Sequence, residues 1–331
     1  MGHHQRAGRG WQTGTTVVHV AGGAVAAVDV RGGGPGTRET DALAPGNLVD
    51  RVHAICLTGG SAYGLAAADG VMAELESRRL GVPVGPDPAH VVPVVPAAVI
   101  FDLGRGGVFA NRPTPEFGRR ALRAAAPTFA RGAVGAGTGA RAGGLQGGLG
   151  TASVRVEVGD TSAIVGALAV VNASGAPVDV TTGAPWVPHP VVRRPSADDR
   201  RTLAATIEAI RAAAQPLNTT IGVVATDAAL TRPEVGRLAQ SAHDGLARAL
   251  RPSHGLTDGD TIFGLSTGSV ELPHDHRGLV RSATSRVVHL NALCAAAADA
   301  FAVACVDAIV TARTIGDAPA YADLCPTALR T

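Results

Sequence analysis

Lysine is absent from this chain: all 29 basic residues are arginine, set against 27 acidic ones for a formal net charge of +2. The arginines do not cluster, so they reflect biased base composition in the coding DNA, and nothing electrostatic favours a nucleic-acid or membrane partner. Aromatics are scarce at 3% and charged residues few at 17%. Cysteine is limited to Cys56, Cys294, Cys305 and Cys325, in apolar surroundings and without CxxC spacing. That pattern argues against a thiolate metal site and fits reduced, buried thiols in a cytoplasmic protein. No hydrophobic leader follows Met1, and the most apolar late stretch, Val287 to Val310, is interrupted by His289, Asn291, Asp299 and Asp307. A buried helix from about Ser282 to Ala312 is expected there, covered by sheet or a second subunit, rather than a membrane span.

Cofactor signals are equally thin. The strand–glycine–helix stretch from Val52 to Leu65 lacks both the spaced GxGxxG and the downstream acid of a dinucleotide site. The most glycine-dense run, Gly132 to Gly144, has a nominal GxGxG without a clear strand before it, and reads as a glycine-paved turn beside a site. Asp258-Gly259-Asp260 lacks the further oxygen ligands of a calcium loop, and His274-Asp275-His276 lacks a third metal ligand. No metal and no cofactor are expected.

The 331 residues are dominated by Ala, Gly and Val, small side chains suited to closely packed layers in a single domain. Thr15 to Val20 and Ala24 to Val30 predict two strands, joined as a hairpin by Gly22-Gly23. A turn-rich loop over 31–48 follows. Ser61 is the expected cap of a helix reaching about Arg79, with Leu65, Ala68, Met72 and Leu75 on its apolar side. Val91 to Val95 and Ala98 to Leu103 add strand material broken by prolines. Thr151 to Val158 alternates as a strand, and Ala163 to Val171 is a longer apolar one ending at Asn172. After a proline-rich loop (176–198) a helix is expected over about Ala197 to Ala214. Thr231-Arg232-Pro233-Glu234 is a capping box opening a helix with Val235, Leu238, Ala239, Ala242, Leu246 and Leu250 at helical spacing. Strands and helices alternate in blocks, which predicts a layered α/β sandwich rather than regular βα units.

At the centre lies Leu217 to Asp227, a β-branched run entering a buried strand, with Asn218, Thr219 and Thr220 at its mouth. The threonines serve strand propensity alone, or Thr219 is a nucleophile. Its hydroxyl can attack the Asn218 carbonyl and shift the acyl group from nitrogen to oxygen. Hydrolysis of that ester leaves a free amine with an unperturbed pKa of about 7.7–8.0, able to act as the base for its own hydroxyl. Asp258-Gly259-Asp260 stands at the mouth of another strand, as a solvated turn or as a working carboxylate pair.

His53 to Leu65, Ala98 to Leu103, Gly135 to Gly139, Asn218 to Ile221 and Asp258 to Thr261, in this order, resemble the DmpA-type L-aminopeptidase/D-esterase family, peptidase family S58. That family includes β-peptidyl aminopeptidases and endo-type 6-aminohexanoate-oligomer (nylon oligomer) hydrolases. The resemblance implies a four-layer αββα sandwich of the DmpA/ornithine acetyltransferase type, like that of N-terminal-nucleophile hydrolases. It implies self-cleavage into 1–218 and 219–331, and a tetramer of such αβ units. Thr219 is then the nucleophile, Asn172 the oxyanion donor, and Asp258 and Asp260 the pair orienting the Thr219 amine and hydroxyl. Tyr63, Phe101 and Gly137 are implied at the substrate, a short peptide or amide with an unhindered amine, linear nylon oligomers included. Two departures stand out. The nylon-oligomer hydrolases carry Lys just after the glycine run, where this chain has Gly143-Gly144-Leu145-Gln146 and only Arg141 as a cation, and they have Tyr in place of Phe101. The rival readings are acyl transfer of the ornithine acetyltransferase type and an uncleaved, non-catalytic relative.

Overall fold

A computed structural model describes residues 1–211, 218–273 and 286–330. Its principal strands are β1 (Gly2–Gly8), β2 (Trp11–Val30), β3 (Arg51–Thr58), β4 (Ala97–Val99), β5 (Gly148–Val158), β6 (Thr161–Val171), β7 (Ile221–Ala228) and β8 (Thr261–Val270). They join in one hydrogen-bonded sheet of order β5-β6-β7-β8-β2-β3-β4, edged by the short segment Thr37–Arg38, with β1 paired beside β2. The longer helices are α1 (Ala67–Ser77), α2 (Pro115–Arg123), α3 (Ala197–Arg211), α4 (Arg232–Ala249) and α5 (Arg286–Val310).

Side-chain alternation sorts this sheet into two facing halves. In β6, Val165, Ala167, Ala169 and Val171 pack with residues of α4 and α5, such as Leu238, Leu246 and Phe301. The intervening Leu168 and Val170 join Ile221, Val223, Phe263 and Leu265 of β7 and β8 in a second core, shared with Ile55 and Leu57 of β3. The other face of β3, Ala54 and Cys56, meets Val71 and Leu75 of α1 and Leu122 of α2 in a third core. Three cores between four layers give the expected αββα order, α4/α5 on one outside and α1/α2 on the other.

Helix α5 is long and apolar enough to cross a membrane, but it lies against α4, β5 and β6 and is largely buried. Glycine sets that distance: a Cβ on Gly150 would stand 2.2 Å from Ala304 O. The capping box forms as expected, with the Thr231 N–H donating to Glu234 Oε2 at 2.8 Å.

Two expectations are corrected. The predicted hairpin at Gly22-Gly23 is one uninterrupted strand, β2, with an irregularity between His19 and Ala24. Both halves pair with β3 in the same direction, and Gly23 at φ +70° absorbs the extra residues instead of reversing the chain. The true hairpin joins β1 to β2, so the polar N-terminal stretch is a strand. Ser61 is not a cap: it carries φ +50°, its side chain makes no capping bond, and the helix breaks into Ser61–Gly64 and Ala67–Ser77. The expected ends of α3 at Ala214 and of α5 at Ser282, and the His274-Asp275-His276 cluster, lie outside the described residues.

Candidate active site

The strand registers bring the site together. Strands β7 and β8 run parallel with Ile221 opposite Thr261, and the pairing continues upstream as a bridge between Asn218 and Asp258. On the other side β6 is antiparallel to β7 with Val170 opposite Ile221. Two residues further in that register Asn172 faces Thr219, whose N–H donates to the Asn172 backbone O at 2.5 Å. The ends of three adjacent strands thus hold Asn172, Thr219 and Gly259 side by side.

Thr219 is buried, 6% exposed, and its hydroxyl donates to the Asn218 carbonyl oxygen at 2.6 Å. The same oxygen accepts the Gly259 N–H at 3.2 Å. The Asn218–Thr219 peptide therefore has a side-chain hydroxyl and a backbone donor already against its carbonyl oxygen. Gly259 is close for lack of a side chain: a Cβ there would come within 2.8 Å of Thr219 Oγ1.

Asp258 and Asp260, 4% and 3% exposed, do not form a solvated turn. Asp258 accepts from Ser174 Oγ at 2.7 Å and from the Gly255 N–H at 2.8 Å. Asp260 accepts the Thr220 N–H at 2.7 Å through one oxygen; through the other it takes the His254 N–H at 3.2 Å and contacts His254 Nδ1 at 2.8 Å. Neither carboxylate is bonded to the Thr219 hydroxyl; they brace the residues on either side of it. His254 sits at φ +58°, a strained conformation of the kind found where loops are held for function.

Asn172 is fully buried. Its Oδ1 accepts the Arg141 N–H at 3.0 Å and a guanidinium N–H of Arg105, while Nδ2 has no partner. A buried donor left unmatched costs about 1–3 kcal/mol, a cost that an oxyanion formed beside it would relieve. Burial draws the Arg105 guanidinium down to about 10, against the pull of nearby Asp102, so it stays charged at neutral pH. Burial likewise pushes Asp102 up to about 6, opposed by the Thr13 hydroxyl and Arg105. Arg141, the cation expected here, is largely buried, and its guanidinium pairs with exposed Asp317 instead of reaching Thr219 or Asn172.

A cleft of about 110 Å³ opens on Asn218 and Thr219, walled by Gly34, Pro35, Gly36, Ser61, Ala62, Val99, Phe101 and Thr257. Phe101 therefore lines the same cleft as Thr219. Tyr63 is 55% exposed under the Arg112 guanidinium, 3.7 Å from its ring centroid, and does not line the cleft. Gly137 packs against Gly148 and Leu149 backbone instead of the cleft. Sequence reasoning missed Arg105 and His254. Arg105 follows Phe101 by four residues in a glycine turn, and His254 opens the loop carrying the acidic pair; neither spacing is periodic. Among the described residues no cluster of His, Cys, Asp and Glu could hold a metal ion.

Peptidase family S58 matches residues 1–320. A protein from Mycobacterium tuberculosis named as an uncharacterized aminopeptidase is 48% identical over 98% of this chain and 95% of its own. A 6-aminohexanoate-oligomer endohydrolase from Kocuria sp. is 35% identical over 79% of this chain and 71% of its own. Among solved structures, a Burkholderia sp. beta-aminopeptidase superposes with TM-score 0.69 at 24% identity, covering 98% of this chain and 89% of that one. The L-aminopeptidase D-Ala-esterase/amidase of Ochrobactrum anthropi, a variant of the Ntn hydrolase fold, gives 0.64 at 20% identity, covering 95% and 89%. A family match over nearly the whole chain, relatives of this identity and an Ntn-hydrolase fold lead to one conclusion: the chain belongs to peptidase family S58 and is a hydrolase of peptide or amide bonds.

Proposed function

We propose that the protein matures by cutting its own Asn218–Thr219 bond and then uses Thr219 as an N-terminal nucleophile in amide hydrolysis. The observation that carries this is the Asn218 carbonyl oxygen, which accepts both the Thr219 hydroxyl at 2.6 Å and the Gly259 N–H at 3.2 Å. Thr219 Oγ1 adds to the Asn218 carbonyl carbon, the C–N bond breaks, and the acyl group passes to oxygen as an ester. Water hydrolyses that ester, leaving chains 1–218 and 219–331 and a free Thr219 amine. In turnover the amine takes the hydroxyl proton as Oγ1 attacks the substrate carbonyl and delivers it to the departing amine. Asn172 Nδ2 and neighbouring backbone N–H groups hold the oxyanion, and water then releases the acid. Asp258 and Asp260 keep the strand ends in register so that the new amine stays beside its hydroxyl.

The substrates we assign are short peptides and amides with a small acyl residue, because the cleft is about 110 Å³ and carries no charged side chain. Linear 6-aminohexanoate oligomers fall in the same class as extended, unbranched amides. The mature enzyme is read as a homo-oligomer of αβ units. Intact mass and N-terminal sequencing test the central step: a fragment beginning Thr219-Thr220-Ile221 is expected, and Thr219→Ala should remain a single inactive chain. A Thr219→Ala protein that still cleaves and hydrolyses amides would overturn the reading.

A further inference from the structure

We propose that Arg105 is a positioning residue of this active site, whose guanidinium locks the Asn172 amide so that its Nδ2 is the end left free for the oxyanion. The inference rests on the reading of Asn172 as oxyanion donor given above.

The two ends of an asparagine amide have nearly the same shape, so partners decide which way it points. Here the oxygen meets two donors, the Arg141 backbone N–H at 3.0 Å and Arg105 Nη1. A flipped amide would set its NH2 against both of them, leaving a guanidinium N–H and a backbone N–H facing a third donor. Arg105 is itself fixed, because the same Nη1 also donates to Gly139 O at 2.5 Å. That anchor comes from the glycine-dense run, where the chain has no room for side chains: a Cβ on Gly139 would stand 2.3 Å from Gln12 O and 2.7 Å from the Asp102 carboxylate. The run therefore serves to bring a carbonyl up to Arg105. A charged donor on the amide oxygen also polarises the group, which strengthens Nδ2–H as a donor. Arg141 cannot take this part, since its guanidinium is committed to Asp317 and only its backbone N–H reaches Asn172.

A double-mutant cycle on the full-length, processed protein tests this, with alanine p-nitroanilide as probe and kcat expressed per Thr219 N-terminus. Arg105→Met in the wild-type background should lower kcat about 10²-fold, the scale of a lost oxyanion donor, with KM changed less than about threefold. In an Asn172→Ala background the same substitution should change kcat less than about threefold. Millimolar methylguanidine should restore part of the rate of Arg105→Ala but none of Arg105→Ala/Asn172→Ala. Equal losses in both backgrounds, or a loss confined to KM, would refute the positioning role while leaving Asn172 as oxyanion donor. If Asn172→Ala alone leaves kcat unchanged, the reading beneath the inference has failed instead. Should Arg105→Met not fold, Arg105→Lys decides: it keeps the charge, but its ammonium ends one atom short of the Nη1 position and falls short of the two oxygens held there, so a roughly tenfold fall in kcat at unchanged melting temperature is expected. A fully active Arg105→Lys would contradict the two-acceptor lock.

Discussion

Gly259→Ala isolates the crowding around the Thr219 hydroxyl. No left-handed φ is required at Gly259, so alanine meets no backbone penalty and the effect is steric. Its Cβ would lie 2.8 Å from Thr219 Oγ1, 2.7 Å from Gly34 O and 3.1 Å from Pro35 Cα. Ordinary carbon contacts at these atoms begin near 3.4 Å, so the hydroxyl and the facing backbone must part by roughly half an ångström. Overpacking of this kind costs about 1–3 kcal/mol, which the fold should survive. Displacement of the proposed nucleophile is less forgiving, since about 1 Å of misplacement can cost ~10² in rate. Self-cleavage, followed on a denaturing gel from freshly refolded chain, should slow about 10²-fold, and amide hydrolysis by the matured fraction similarly. Gly34→Ala is the control for self-cleavage: its nearest neighbours would be at 3.7 Å, an ordinary contact, so the cleavage rate should stay within about threefold. Wild-type cleavage by Gly259→Ala, or equal losses for the two variants, would refute the placement of Gly259 against the Thr219 hydroxyl.

Asp102 offers a test by pH. Its folded pKa of about 6 lies above the ordinary 3.8, so the proton favours the folded state; this stability is present below pH 3.8 and lost as pH rises through about 6. Asp102→Asn removes a cost on the order of 3 kcal/mol above pH 6; urea melts should show the variant gaining on wild type between pH 4 and pH 8, and a pH-independent difference would contradict this. His243 has the opposite sign. Burial holds it down at about 4, beside the His254 ring and near Asp29 and Arg31, so its contribution is intact above pH 6.5 and lost as pH falls through 4. His3 is likewise depressed to about 4 by burial and the N-terminal charge. Acid melts should therefore steepen between pH 6.5 and 4, and His243→Gln should flatten them. Arg141→Ala leaves the backbone N–H that holds Asn172 and removes a guanidinium that pairs with Asp317, so kcat should change by less than about threefold. Gly70→Ala would drive a Cβ to 1.7 Å from Pro115 O between α1 and α2, so a loss of several kcal/mol in urea melts is expected.

Local patterns in the chain were enough to determine the existence of β5 and β6 as strands, the capping box of α4, the buried character of α5 and the two polar mouths at Asn218 and Asp258. Each depends on residues within one or two turns or a single strand, where periodicity and capping chemistry act. The ordered motifs together also identified the family. What local patterns could not carry is pairing between distant segments. The register that sets Asn218 beside Asp258, and Asn172 opposite Thr219, is decided by how β6, β7 and β8 bury both faces at once, so that a slip of one residue would exchange the two cores. The same cause misled the reading of Gly22-Gly23: a glycine pair is a turn or a bulge according to whether the partner strand continues, and β3 continues. Arg105 was invisible for a related reason. A single arginine in a glycine turn has no pattern of its own, and only the packed sandwich brings it to the amide of Asn172 and the carbonyl of Gly139.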